Sequence, residues 1–196
     1  MEKEIKKKEN KVVKGPTGKT EHFGGLTKNE LLNALRLMYL SRQIDHKIMN
    51  LIKQGKAFFH IAGAGHEATQ IAFGLNLTPK LDWGFPYYRD MAFMLALGTK
   101  PEDVFLQALA KETDLMTGGR QMPCHWGNKE LNVPTQSSPT GTQFLQAVGA
   151  ALAAKRMGKN AVVYVSSGEG TTSQGEFHEA VNWAAREKLP VIFVIQ

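Results

Sequence analysis

The sequence predicts an α/β fold organised on a parallel sheet, and three stretches carry that prediction. Val162-Val163-Tyr164-Val165-Ser166 is a β-branched and aromatic run without polar alternation, the pattern of a strand buried on both faces. Ser173-x-x-Glu176 is a capping pattern that opens a helix running to about Glu187. Val191-Ile192-Phe193-Val194-Ile195 is a second buried run. Strand, helix and strand in this order make a β-α-β unit, expected to be parallel and right-handed.

The elements before it follow in order. Residues 1–20 hold seven Lys against three Glu and so carry most of the +6 net charge of the 196-residue chain. With Gly15-Pro16 and Gly18 near its end, the stretch 1–26 is expected to be a basic, disordered tail. No basic-aromatic interleaving follows it, so nucleic-acid binding is not expected. Thr27-Lys28-Asn29-Glu30 is a capping box opening a long helix, with Leu31, Leu35, Met38, Ile44, Ile48, Leu51 and Ile52 near one face and Gly55 closing it. Phe58 and Phe59 precede a glycine turn, Gly63-Ala64-Gly65, and a helix through Leu75; they suit either a core or the wall of an apolar pocket. His60 and His66 lack metal-pair spacing and read as structural residues.

Asp82 to Asp90 reads as a polar-aromatic loop before a helix over Met91–Leu97. Its Tyr88-Arg89 pair suits phosphate oxygens, because a guanidinium offers forked donors and a phenol adds a hydroxyl; a surface pair between Arg89 and an acid fits as well. Pro101 opens another helix. From Thr117 to Pro139 no period is visible, yet the Met, Trp and Cys content argues for order. Cys124, the single cysteine, excludes an internal disulfide, fits a reducing cytoplasm and reads as a buried thiol without an activating base. Thr140-Gly141-Thr142-Gln143 starts an Ala- and Gly-rich helix that ends at Gly158 and suits close packing or a subunit interface. No apolar run approaches the roughly 18 residues of a membrane span, and the start lacks the core of a secretory signal.

Between the two buried runs lies Gly168-Glu169-Gly170-Thr171. A carboxylate beside phosphate is repulsive unless a cation lies between them, so glycines around an acid suggest phosphate held through a hard divalent ion, with Glu169 as its oxygen ligand. An ordinary strand-to-helix turn with a solvated Glu fits the tripeptide too. A nicotinamide site fits less well, since the third glycine of that fingerprint is missing.

Five strings in succession carry a resemblance: Tyr88-Arg89-Asp90, Gly119-Arg120-Gln121-Met122-Pro123-x-His125, Ser137-Ser138-Pro139-x-x-Thr142-Gln143, Gln146-Ala147-Val148-Gly149-Ala150-Ala151 and Gly168-Glu169-Gly170. Over residues 27–196 the chain resembles the alpha subunit, or alpha half, of the thiamin-diphosphate-dependent first component of 2-oxo acid dehydrogenase complexes, the branched-chain type most of all. The resemblance implies a doubly wound, mostly parallel α/β domain that binds thiamin diphosphate. Gly168, Glu169, Gly170 and Thr171 would hold diphosphate and Mg2+, with Glu169 on the metal. Tyr88 and Arg89 would bind diphosphate oxygens, and Ser138 and Thr140 would lie on the aminopyrimidine side. Ser137, Pro139, Thr142 and Gln143 would surround K+, a use of Gln143 that competes with its place at a helix start. Tyr87 stands where branched-chain members often have Gln, and Gln196 where some have a diphosphate-binding Arg.

The implied reaction is oxidative decarboxylation of a 2-oxo acid of the 3-methyl-2-oxobutanoate type, with acyl transfer to the lipoyl group of an acyltransferase and a beta part completing the oligomer. Because the last run stops at Gln196 and the second half of the family's metal motif would follow it, the chain is expected to be the amino-terminal part of a longer polypeptide, inactive alone, with no catalytic residue assigned within it. Pyruvate dehydrogenase, a transketolase and a non-catalytic assembly protein are the alternatives.

Overall fold

The computed structural model describes residues 25–196, so all but the last two residues of the expected basic tail lie outside it. Thr27 caps α1 (Lys28–Lys53) through the anticipated box: its hydroxyl accepts from the Glu30 N–H at 3.2 Å, and the Glu30 carboxylate accepts from the Thr27 N–H at 2.8 Å. Only the second half of the expected apolar face is used. Ile44 and Ile48 are buried, whereas Leu35 is 60% exposed along with Leu32 and Tyr39. Phe58 is 89% exposed and belongs to no core.

Helices α2 (Glu67–Asn76), α3 (Met91–Leu97), α4 (Pro101–Ala108), α5 (Thr142–Arg156) and α6 (Gly175–Glu187) follow. The strands are β1 (Trp83–Phe85), β2 (Val163–Ser167) and β3 (Val191–Ile195), in the order β1-β2-β3. Both pairings are parallel; Phe85 lies opposite Val165, and Val165 opposite Phe193. Sequence alone missed β1, placing it inside a loop. It is three residues long and flanked by Asp82 and Pro86, too short for a period to register.

Side-chain alternation along β2 sorts the core into two layers. Tyr164 faces α1, α3, α4 and the irregular segment, stacking on Phe93 at a centroid distance of 4.2 Å. Val163 and Val165 face the other way, toward Phe144, Ala147, Val148 and Ala151 of α5 and Ala180 and Ala184 of α6. Helices cover both faces of a parallel sheet, the doubly wound arrangement. The alanines let α5 lie close to the sheet.

One expected cap is absent. Ser173 does not open α6; its hydroxyl donates to the Gly170 carbonyl at 2.9 Å inside a 3-10 turn, Glu169–Ser173, and Gln174 is the residue before the helix. The hydroxyls after Glu169 serve this turn because the backbone there leaves carbonyls unpaired by the sheet. From Thr117 to Pro139 the chain is ordered, with one 3-10 turn at Lys129–Leu131 and a bridge between Asn128 and Val133, and it buries Cys124 and Trp126. No described helix is long and apolar enough to cross a membrane.

Phe144, fully buried where α5 meets the sheet, should carry much of the second layer. Phe144→Ala is expected to lower unfolding free energy by about 3–5 kcal/mol in urea titration, and Phe58→Ala to change it by less than about 0.5 kcal/mol.

Candidate functional site

Parallel strands that end in step release their following loops side by side. From β1 the chain continues through Pro86 into Tyr87, Tyr88 and Arg89. The Tyr87 N–H donates to the Ser166 hydroxyl of β2 at 3.2 Å, and the Asp90 N–H closes the turn on the Tyr87 carbonyl at 3.1 Å. Asp90 is wholly buried and accepts from the Ser166 hydroxyl, from Tyr164 at 3.2 Å and from the Gln196 amide at 3.1 Å. The Arg89 carbonyl accepts from the Gln70 amide at 3.2 Å. It also lies 2.6 Å from where a Cβ on Gly63 would sit, so only glycine admits this approach. Gly63 and Gln70 escaped the sequence reading as site residues, although the glycine turn was visible.

From β2 the chain passes through Gly168 into the 3-10 turn. Gly168 is buried beside the Tyr87 ring, while Glu169 and Gly170 are exposed. Thr171 is buried and donates its N–H to the Gly168 carbonyl at 3.1 Å; Thr172 closes the turn on the Glu169 carbonyl at 2.7 Å.

The Ser137–Gln143 segment makes the third wall. Gly141, with φ +96°, fits against Thr171 and Gln174, where a Cβ would meet the Gln174 side chain at 3.2 Å. Gln143 is buried and divides its amide, accepting from the Gly141 N–H at 3.2 Å and donating to the Ser166 carbonyl at 3.1 Å. Both bonds stitch the segment to β2. The Thr142 hydroxyl donates to the Pro139 carbonyl at 3.1 Å, while Ser138 and Thr140 are exposed and Ser137 is half-buried.

His125 joins this wall. Its Nδ1–H donates to the Met122 carbonyl at 2.9 Å, which leaves Nε2 of the neutral ring to accept from the Ser138 hydroxyl at 2.8 Å. The backbone under it is fixed by Gln107, which accepts from the Cys124 N–H at 2.9 Å and donates to the His125 carbonyl at 2.6 Å. Cys124 has a histidine beside it. Its Sγ lies 3.8 Å from Nδ1 of His60, whose Nε2 is 2.6 Å from Asp45. Burial opposes charging His60, but Asp45 and Cys124 outweigh it and push the imidazole up to about 9. Three distant sequence positions form this buried cluster, so no local pattern announced it.

The donor set around Gly168 suits an anion held with a metal. Burial and the nearby Asp90 charge push the Tyr87 phenol up to about 12, so it stays a neutral donor, and its buried hydroxyl has no hydrogen-bond partner among the described residues. Tyr88 and Arg89 are half-buried, with the guanidinium 5.2 Å from the Tyr88 ring centroid. Glu169 supplies the one exposed carboxylate of the turn. No group of three or more His, Cys, Asp or Glu side chains that could hold a metal occurs among the described residues, so on this chain Glu169 would act with oxygen ligands from elsewhere. Hollows of about 350 and 490 Å3 lie away from these loops, near Phe73 and Ile192 and near Trp83 and Pro134.

A family model described as dehydrogenase E1 component matches residues 35–196. The chain is 43% identical over 172 residues to the 2-oxoisovalerate dehydrogenase subunit alpha of Bacillus subtilis (strain 168), covering 88% of this chain and 52% of that protein. It is 36% identical to the mitochondrial 2-oxoisovalerate dehydrogenase subunit alpha of Homo sapiens, covering 86% of this chain and 37% of the relative. With the pyruvate dehydrogenase E1 component subunit alpha of Staphylococcus aureus it shares 35% identity, over 87% and 43%. The chain thus spans about half the length, or less, of the curated relatives it matches.

Gly63→Ala should force the Arg89 carbonyl away and cost about 1–3 kcal/mol in denaturant unfolding, whereas Gly170→Ala, whose Cβ meets nothing, should cost less than about 0.5 kcal/mol.

Proposed function

The chain belongs to the dehydrogenase E1 component family, whose members depend on thiamin diphosphate, and from that premise we propose that the complete protein is the alpha part of a branched-chain 2-oxo acid dehydrogenase. The reading rests on one observation: the Tyr87–Arg89, Ser137–Gln143 and Gly168–Thr171 segments converge at the carboxyl ends of β1 and β2, tied together through Ser166. In this reading Tyr88 and Arg89 donate to diphosphate oxygens, the neutral Tyr87 hydroxyl adds a donor, and Glu169 shares Mg2+ with the diphosphate. Backbone N–H groups of Gly168 and Gly170 admit the phosphate closely because no side chain shields them. Ser138, oriented by His125, and the Thr140 backbone border the aminopyrimidine side.

Ser137, Pro139, Thr142 and Gln143 would hold K+ as a brace. Their carbonyls and hydroxyls are the hard oxygen donors such an ion takes, although the Gln143 carbonyl oxygen is engaged by Gly141 in this arrangement. When bound, the cofactor supplies the electron sink that decarboxylation needs. What this chain supplies is placement: a donor-lined wall, a metal carboxylate and a rigid floor.

The proposed product is an acyl group passed to the lipoyl arm of an acyltransferase core, with a beta part completing the cofactor site. A cytoplasmic setting suits the buried free thiol of Cys124. Pyruvate is the second substrate to consider, because a relative named for it is 35% identical. Apolar pockets separate such acids by only about 1–3 kcal/mol.

In the full-length protein assembled with its beta part, Glu169→Gln should weaken Mg2+-dependent thiamin diphosphate binding by calorimetry at least as much as the roughly 10–100-fold that loss of an outer-shell partner costs a metal site. Carbon dioxide release should be faster from 3-methyl-2-oxobutanoate than from pyruvate; the reverse order would overturn the branched-chain assignment.

A further inference from the structure

Asp90 stands out among the buried polar groups. It has no exposed surface, and among the described residues no cation lies within 4 Å of it. A buried carboxylate without a positive partner is a cost to the fold, because removal from water disfavours its charged form. Its contacts show what offsets part of that cost. Oδ2 accepts from the Ser166 hydroxyl and from Tyr164 on β2, and Oδ1 accepts from Gln196 just after β3. Ser166 in turn accepts from the Tyr87 N–H, and Gln196 accepts from Gln70 of α2 at 3.2 Å, the same amide that holds the Arg89 carbonyl. Two of the three paths from this carboxylate, through Ser166 and through Gln196, lead back to the turn Tyr87-Tyr88-Arg89, and the third anchors it on Tyr164 of β2.

We propose that Asp90 is a positioning residue for the diphosphate-binding turn: its carboxylate fastens Tyr87, Tyr88 and Arg89 to the ends of β2 and β3, and the chain carries it at the expense of stability. The inference rests on the reading of that turn as a diphosphate site. The geometry specifies a carboxylate rather than any small polar group. Three donors from three positions converge on two oxygens, and an amide of the same shape would set its own N–H groups against at least one of them.

The groups facing Asp90 are Tyr164 and Ser166 from β2, Gln196 after β3, and Tyr87 from its own turn. Burial pushes its carboxyl up to about 7, while the hydrogen bonds from Ser166, Gln196 and Tyr164 pull it back. A carboxyl raised in the folded state contributes stability that is fully present below its unfolded pKa and is lost as pH rises through about 7. Wild type should therefore lose stability relative to Asp90→Asn between about pH 5 and about pH 8.

The test uses the full-length protein assembled with its beta part, titrated with Mg2+ and thiamin diphosphate in a calorimeter, together with thermal unfolding at several pH values. Asp90→Asn is expected to bind the cofactor about tenfold more weakly at about pH 8, the scale of a lost hydrogen bond to a charged group. Its apparent KM for cofactor should rise while kcat at saturating cofactor recovers, and the stability gap to wild type should change with pH in the stated direction. Binding within about twofold of wild type, or a gap that is flat with pH, overturns the proposal. Should Asp90→Asn fail to fold, Ser166→Ala carries the test, because it removes the hydroxyl shared by Asp90 and the Tyr87 N–H; unchanged cofactor affinity there overturns the proposal equally. Absence of binding by wild type would instead sink the diphosphate reading itself.

Discussion

The parallel pairing of β1 with β2 is the constraint on which the site depends. Phe85 opposite Val165 ends β1 two residues short of the end of β2, and Tyr87, after Pro86, then lies against Gly168, which follows β2. A slip of one residue would turn Tyr164 toward α5 and Val165 toward α1, and would carry Ser166 away from the Tyr87 N–H. Three residues of β1 could not hold that register alone. Phe93, pressed over Gly84 and stacked on Tyr164, and the Ser166 and Asp90 bonds beyond the strand's end hold it. The site and the sheet are thus secured by the same contacts.

Long, periodic or capped stretches were legible in the sequence: α1 from its capping box, α3 to the residue, α5 between Gly141 and Gly158, and β2 and β3 from their unbroken apolar runs. Short or non-local features were not. β1 is too brief to show a period, and Ser173 matched a capping pattern while its hydroxyl served the preceding turn. The outward side of α1 read as one face with its buried half, since periodicity reports which residues are apolar and says nothing of what packs on them. The proposed site residues with chemical character, Tyr88, Arg89, Glu169 and Ser138, were proposed from type and motif. Their supports, Gly63, Gln70, Gln107 and Asp90, were not, because each acts across 17 or more residues or through a backbone approach that only coordinates reveal.

The division of labour in the proposed site suits the physics of phosphate. In the proposed site, Arg89 and Glu169 stay at the rim with access to solvent, while the neutral Tyr87 hydroxyl lies on the floor. Behind them three buried amides are engaged: Gln143 holds two partners, the Gln70 NH2 group donates to two, and Gln107 clamps the positive-φ backbone at Cys124. Such a shell limits how far the rim can move and fixes donors before the ligand arrives, which lowers the ordering cost of binding.

A crystal structure of the full-length protein with its beta part, thiamin diphosphate and Mg2+ tests the central claim most directly. The account requires a Glu169 carboxylate oxygen at about 2.0–2.1 Å from the metal, with Tyr88 and Arg89 on the same diphosphate. A Glu169 side chain in solvent, with the diphosphate bound away from the ends of β1 and β2, would contradict it.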